Sequence, residues 1–120
     1  MRDPTRGGVA SALNEIAAAS TVGIEIDELV LPVPATVAAA CEVLGLDPLH
    51  VANEGCLIAI VAADAADGLL TAMRSQPEGT NAVRLGEVVA TNPGRVLMRT
   101  LMGGTRIVDM LVGEQVPRIC

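Results

Sequence analysis

The 120-residue sequence contains no Phe, Tyr or Trp and no Lys. Without aromatic rings no side chain can stack on a nucleobase in the way aromatic readers of single strands do, which excludes those platforms. If a nucleotide binds, this chain should hold its phosphates and something else its base. Positive charge is scarce too: the 8 basic residues, all Arg, face 14 acidic ones, for a net charge of -6. Such a surface repels phosphate backbones and anionic lipids, arguing against nucleic acid and membranes as partners. The sequence has no apolar run of the roughly 18 residues that a membrane helix needs, and no charged-then-apolar leader, so a cytoplasmic chain is expected. Cys41, Cys56 and Cys120 cannot all pair with one another and match no zinc or redox spacing, so reduced thiols are expected. Cys120, as the last residue, also fails the prenylation pattern.

What is present is aliphatic. Residues of the apolar class make up 51% of the chain, so a core of Val, Leu, Ile, Ala and Met in one domain is expected. After Met1–Gly8, the residues Val9, Ala12, Leu13, Ile16 and Ala17 fall on one face of a helix running to about Ala19. Val22–Ile26 reads as a short strand. Pro32 and Pro34 mark a turn, and Ala35–Leu44 is helical in composition, with Val37, Cys41 and Leu44 on one side and Gly45 as the stop. Leu46–Leu49 can form one more turn. Cys56–Ala62 is apolar at both parities, as in a strand buried on both faces. Asp64 is placed to cap a third helix whose buried side is Leu69, Leu70 and Met73. From Ala82 onward, Val83–Ala90, Val96–Met102 and Arg106–Leu111 read as a meander of hairpins turned at Asn92-Pro93-Gly94 and Gly103-Gly104. The expected fold is α/β (α+β), a mixed and largely antiparallel sheet covered by helices, over residues 1–112. A helix so close to the start suggests a domain taken from a longer protein.

Three stretches carry candidate chemistry. Asp3, Thr5, Arg6, Gly7 and Gly8 precede a helix whose free amides and dipole attract anions; the glycines permit close approach, and Arg6 offers a fork for phosphate. Asp3 could instead cap the helix, or hold a metal ion against the phosphates. Asn53 and Glu54 lie just before the expected buried strand, where a carboxylate can serve as a general base, although most such glutamates face water. His50, the only histidine, reads more simply as a surface or satisfied residue. The last stretch, Gly113–Cys120, is a polar, Pro-interrupted tail ending in a thiol. Fully extended, it reaches roughly 26 Å, enough to carry Cys120 into a cleft elsewhere. Arg118 favours the thiolate and the terminal carboxylate disfavours it.

Taken together, Asp3-Pro4-Thr5-Arg6-Gly7-Gly8-Val9, Val51-Ala52-Asn53-Glu54-Gly55 and the terminal Pro117-Arg118-Ile119-Cys120 resemble the C-terminal domain of the HypE family of hydrogenase maturation factors. That family lies within the aminoimidazole ribonucleotide synthetase (PurM) superfamily. The resemblance implies a PurM C-terminal domain-like fold and a part in making the cyanide ligands of nickel-iron hydrogenases. It implies that Cys120 is carbamoylated by HypF, that ATP with Mg drives dehydration to a thiocyanate, and that the cyano group passes to iron on HypC and HypD. By matching position, Glu54 would be the base, Cys120 the carrier, and Asp3, Thr5, Arg6, Gly7, Gly8 and Asn53 would help hold the nucleotide. In the family an N-terminal domain supplies most of the ATP site, a catalytic lysine and the main homodimer contact. This chain has no lysine, so these residues alone are expected to fold without turning over. Two other readings share part of the pattern: another ATP-dependent synthetase or kinase of the superfamily, such as a selenophosphate synthetase, and a non-catalytic docking domain.

Overall fold

The computed structural model describes residues 7–51 and 56–110. Helix α1 (Gly8–Ser20) is followed by β1 (Gly23–Asp27), α2 (Ala35–Leu44), a 3₁₀ turn (Pro48–His50), α3 (Ala63–Arg74), and strands β2 (Gly86–Val89), β3 (Val96–Arg99) and β4 (Thr105–Ile107). The strands form one mixed sheet in the order β2-β1-β3-β4. Strand β1 pairs antiparallel with β2 and parallel with β3, while β3 and β4 form an antiparallel hairpin.

Alternation along the strands divides the sheet into two faces. Ile24, Ile26, Val96 and Met98 are buried and form one core with Ala10, Leu13 and Ala17 of α1. Ala10 and Ala17 have no exposed surface. Alanine at these positions brings the helix backbone close to the sheet, so an aliphatic core can fill without aromatic volume. Val9 and Ile16 pack at its margin.

The three helices lie where the periodicity places them, and Gly45 closes α2 at φ 69°. Three expectations are corrected. Residues 56–62 form no regular strand: only Ile58 makes a β-bridge, and Leu57, Ile60 and Val61 are exposed. An apolar run becomes a sheet interior only where neighbours pair along both edges, and no described strand pairs with this one beyond that bridge. Second, α2 buries only Cys41; Val37 and Leu44 are exposed. Third, Asp64 does not cap α3, whose N-cap is Ala62; Asp64 lies in the first turn, where its charge still suits the helix dipole. Leu69, Leu70 and Met73 are half-buried.

The meander is also replaced. Strands β2 and β3 flank β1, and residues 90–95 cross the beginning of β1 to connect them, with Gly94 N–H donating to Val22 O at 2.8 Å. The crossing chain explains Gly23: a Cβ there would collide with the Thr91 carbonyl oxygen. The β3–β4 turn is longer than Gly103-Gly104 and spans 100–104, with Thr100 N–H donating to Gly104 O at 2.8 Å.

Candidate functional site

The first candidate stretch enters the described structure at Gly7 and Gly8. Gly7 is the N-cap of α1 at φ 69°, and Gly8 follows at φ 65°, both in the left-handed region. Gly7 has no side chain to cap the helix, so it offers the first-turn amides and the positive end of the dipole no internal anion. Gly8 has a further constraint. A Cβ at this position would come within 2.5 Å of both Leu49 O and Val51 O. The close approach permitted by this glycine is therefore to the chain's own backbone. It seats the start of α1 on the residues that lead directly into 52–55.

Those residues are shaped by Asp47. Its Oδ1 accepts from Leu49 N–H at 3.0 Å, closing a side-chain turn around Pro48, and Leu49 anchors the turn in the core. Its Oδ2 accepts from Arg106 Nη2 of β4 at 2.8 Å and lies 3.6 Å from His50 Nδ1. Burial pushes the Asp47 carboxyl upward. The hydrogen bonds from Arg106 and the Leu49 amide, with the charges of Arg106 and His50, outweigh burial and hold it below its ordinary value.

The same turn holds the chain that continues into the terminal stretch. Asn14 Nδ2 donates to Ala10 O and to Val108 O, both at 2.8 Å, and Val108 N–H donates to Val96 O at 2.8 Å. His50 Nε2 lies 2.9 Å from Asp109 O. A carbonyl can only accept, so Nε2 carries the proton and donates. Arg106, Val108 and Asp109 are thus fixed to the 47–50 turn, to β3 and to α1 immediately before residues 111–120.

Of the residues singled out from sequence, Gly7 and Gly8 lie at the start of α1, while Asp3, Thr5, Arg6, Asn53, Glu54 and Cys120 lie outside the described residues. The described ends next to all three stretches, at Gly7–Gly8, Val51 and Asp109–Met110, meet around His50. Sequence reasoning missed Asp47, Asn14 and Arg106. The available signals were slight: an Asp preceding Pro, and an amide interrupting an alanine-rich helix. Among the described residues no group of three or more His, Cys, Asp or Glu could hold a metal ion, and no helix is long and apolar enough to cross a membrane. A depression of about 370 Å³ lined by Glu25, Asp27, Arg84, Glu87 and Arg99 contains none of the residues of this junction.

Residues 1–99 match the family described as AIR synthase related protein, C-terminal domain, and the chain belongs to that family. Within it, the chain is similar to HypE. It is 60% identical over its whole length to the carbamoyl dehydratase HypE of Bradyrhizobium diazoefficiens, and 59% identical to that of Cupriavidus necator. It spans 35% and 34% of those two proteins' lengths. A crystal structure of the hydrogenase maturation protein HypE in complex with ATP superimposes with a TM-score of 0.90 at 46% identity, covering 99% of this chain and 37% of that one. A HypE-HypF complex superimposes with a TM-score of 0.86 at 46% identity, covering 92% of this chain and 35% of that one.

Proposed function

We propose that the chain is the C-terminal domain of a carbamoyl dehydratase that makes the cyanide ligand of nickel-iron hydrogenase. The observation that carries this reading is the meeting, around His50, of the described ends adjoining the phosphate-loop, carboxylate and thiol-tail stretches. The high identity to HypE proteins, one solved with ATP and one with HypF, supports it.

In this reading HypF transfers a carbamoyl group to the Cys120 sulfur, giving a thiocarboxamide. The conversion balances as thiocarboxamide plus ATP to thiocyanate, ADP and inorganic phosphate. ATP, when bound, supplies the phosphoryl group with which the amide oxygen departs, since that oxygen is otherwise a poor leaving group. Glu54 takes a proton from the amide nitrogen as the carbon-nitrogen triple bond forms. The first-turn amides of α1, which Gly7 has no side chain to cap, fit an anion at Gly7 and Gly8, with Arg6 adding charge and Asp3, Thr5 and Asn53 adding polar contacts. Magnesium would accompany the nucleotide, with Asp3 a candidate ligand. The cyano group then passes from sulfur to iron on HypC and HypD. The rest of a HypE-length protein would supply a lysine, most of the nucleotide site and the homodimer contact, in the cytoplasm, and these 120 residues alone do not turn over.

Glu54→Gln in the full-length protein tests the division of roles. The variant should accept the carbamoyl group on Cys120 and accumulate thiocarboxamide without thiocyanate, read by mass spectrometry. Thiocyanate formed at the unaltered rate would remove Glu54 as the base.

A further inference from the structure

His50 is one residue that touches each end of the junction. Its carbonyl carbon would lie 2.9 Å from a Cβ on Gly8, so its backbone forms the seat of the α1 start. Its peptide leads through Val51 into the carboxylate stretch. Its ring reaches across to Asp109 O at 2.9 Å, 59 positions away in sequence. The side chain is only 16% exposed, with Nδ1 turned toward Asp47 Oδ2. The orientation in which the chain leaves Val108 therefore depends on a ring carried by the same turn that borders the other two stretches.

We propose that His50 is a positioning residue, whose hydrogen bond to the Asp109 carbonyl holds the last described residues before the thiol-bearing tail beside the Gly8–Val51 junction. The proposal rests on the carrier reading above and deepens it. A tethered thiol reacts at an effective concentration set by where its tether begins and which way it points. One net hydrogen bond biases two root orientations by a factor of about 2 to 10, which bounds the expected effect.

The experiment compares substrate on the tail with substrate supplied free. In the full-length protein, dehydration of the carbamoyl group on its own Cys120 is followed in a single turnover for wild type, His50→Leu and His50→Gln. Glutamine keeps an N–H donor near the position of Nε2; leucine keeps none. In parallel, a Cys120→Ser background, with and without His50→Leu, receives an S-carbamoyl peptide of the sequence Val116–Cys120, and ATP affinity is measured for each. The expected result is a fall of about 2 to 10-fold for His50→Leu on its own tail, recovery in His50→Gln, and no change in free-peptide turnover or ATP affinity. Equal losses with tail and peptide, or a weakened ATP affinity, would overturn the proposal by making His50 part of the site's own support. An unchanged rate on the tail would overturn it as well. A wild-type protein that takes no carbamoyl group on Cys120 would instead bring down the carrier reading, and this proposal with it.

Discussion

His50 Nε2 donates to the Asp109 carbonyl at 2.9 Å, joining the turn between α2 and α3 to the end of the sheet. The two residues are far apart in sequence, and neither belongs to a regular helix or strand of the core. Their bond lies beside the Arg106–Asp47 pair at 2.8 Å and the Asn14–Val108 bond at 2.8 Å. Side chains from α1, the turn and β4 thereby hold the last described residues before 111–120.

The seating of α1 on the turn makes Gly8 costly to replace. Gly8→Ala combines left-handed strain with a collision against two backbone carbonyls, and should destabilise the fold by about 3 kcal/mol or more. Gly45→Ala shares the strain, at φ 69°, but would meet open space, and should cost about 1 kcal/mol. Urea unfolding followed by far-ultraviolet circular dichroism measures both, since no aromatic residue reports by fluorescence. Equal costs would contradict the packing role given to Gly8.

Asn14→Leu removes the donor to Val108 O within a core residue that has no exposed surface. The expected loss is about 1–3 kcal/mol, from a buried carbonyl left without this partner. Asn14→Asp should cost more, because an ionised carboxylate cannot donate and would face a carbonyl. The same urea titration checks the order, and a wild-type midpoint in Asn14→Leu would contradict it.

The charge network at Asp47 should appear as acid sensitivity. A carboxyl held below its unfolded value contributes stability that is present above the unfolded pKa, about 3.9, and lost as pH falls through the folded value. Asp47→Asn keeps an oxygen for Leu49 N–H and removes the charge facing Arg106. It should cost at most about 1 kcal/mol near pH 7, because the pair is partly open to water, and the difference from wild type should shrink below about pH 4. Thermal midpoints at pH 7 and pH 3 measure this. A constant difference at both pH values would show that the charge plays no part.

Helices were legible because their information is local: the Val9–Ala17 periodicity, the Pro34 entry to α2 and the Gly45 exit lie within one element each. Strand order was not, because it depends on which segments meet. The insertion of β1 between β2 and β3 is marked in sequence by Gly23 and Gly86, whose requirements become visible once Thr91 crosses the first and the Glu25 backbone of β1 lies against the second. Cys56–Ala62 shows the converse, a strong strand pattern that pairs with the described residues only through the Ile58 bridge. At the site, Gly7 and Gly8 were picked out for their backbone freedom, yet the contact that demands Gly8 is to Leu49 and Val51. His50 reads from sequence as a surface or satisfied residue; the structure shows the second, and no spacing rule could link it to Asp109.

The most direct test of the carrier account is tandem mass spectrometry of the C-terminal peptide after incubation with HypF, carbamoyl phosphate and ATP. This chain and the full-length protein would be treated in parallel. The account predicts a carbamoyl adduct on Cys120 of the full-length protein that progresses to a cyano adduct there, and no cyano adduct on the 120-residue chain. Absence of any adduct on Cys120 of the full-length protein, beside an active HypF control, would contradict it.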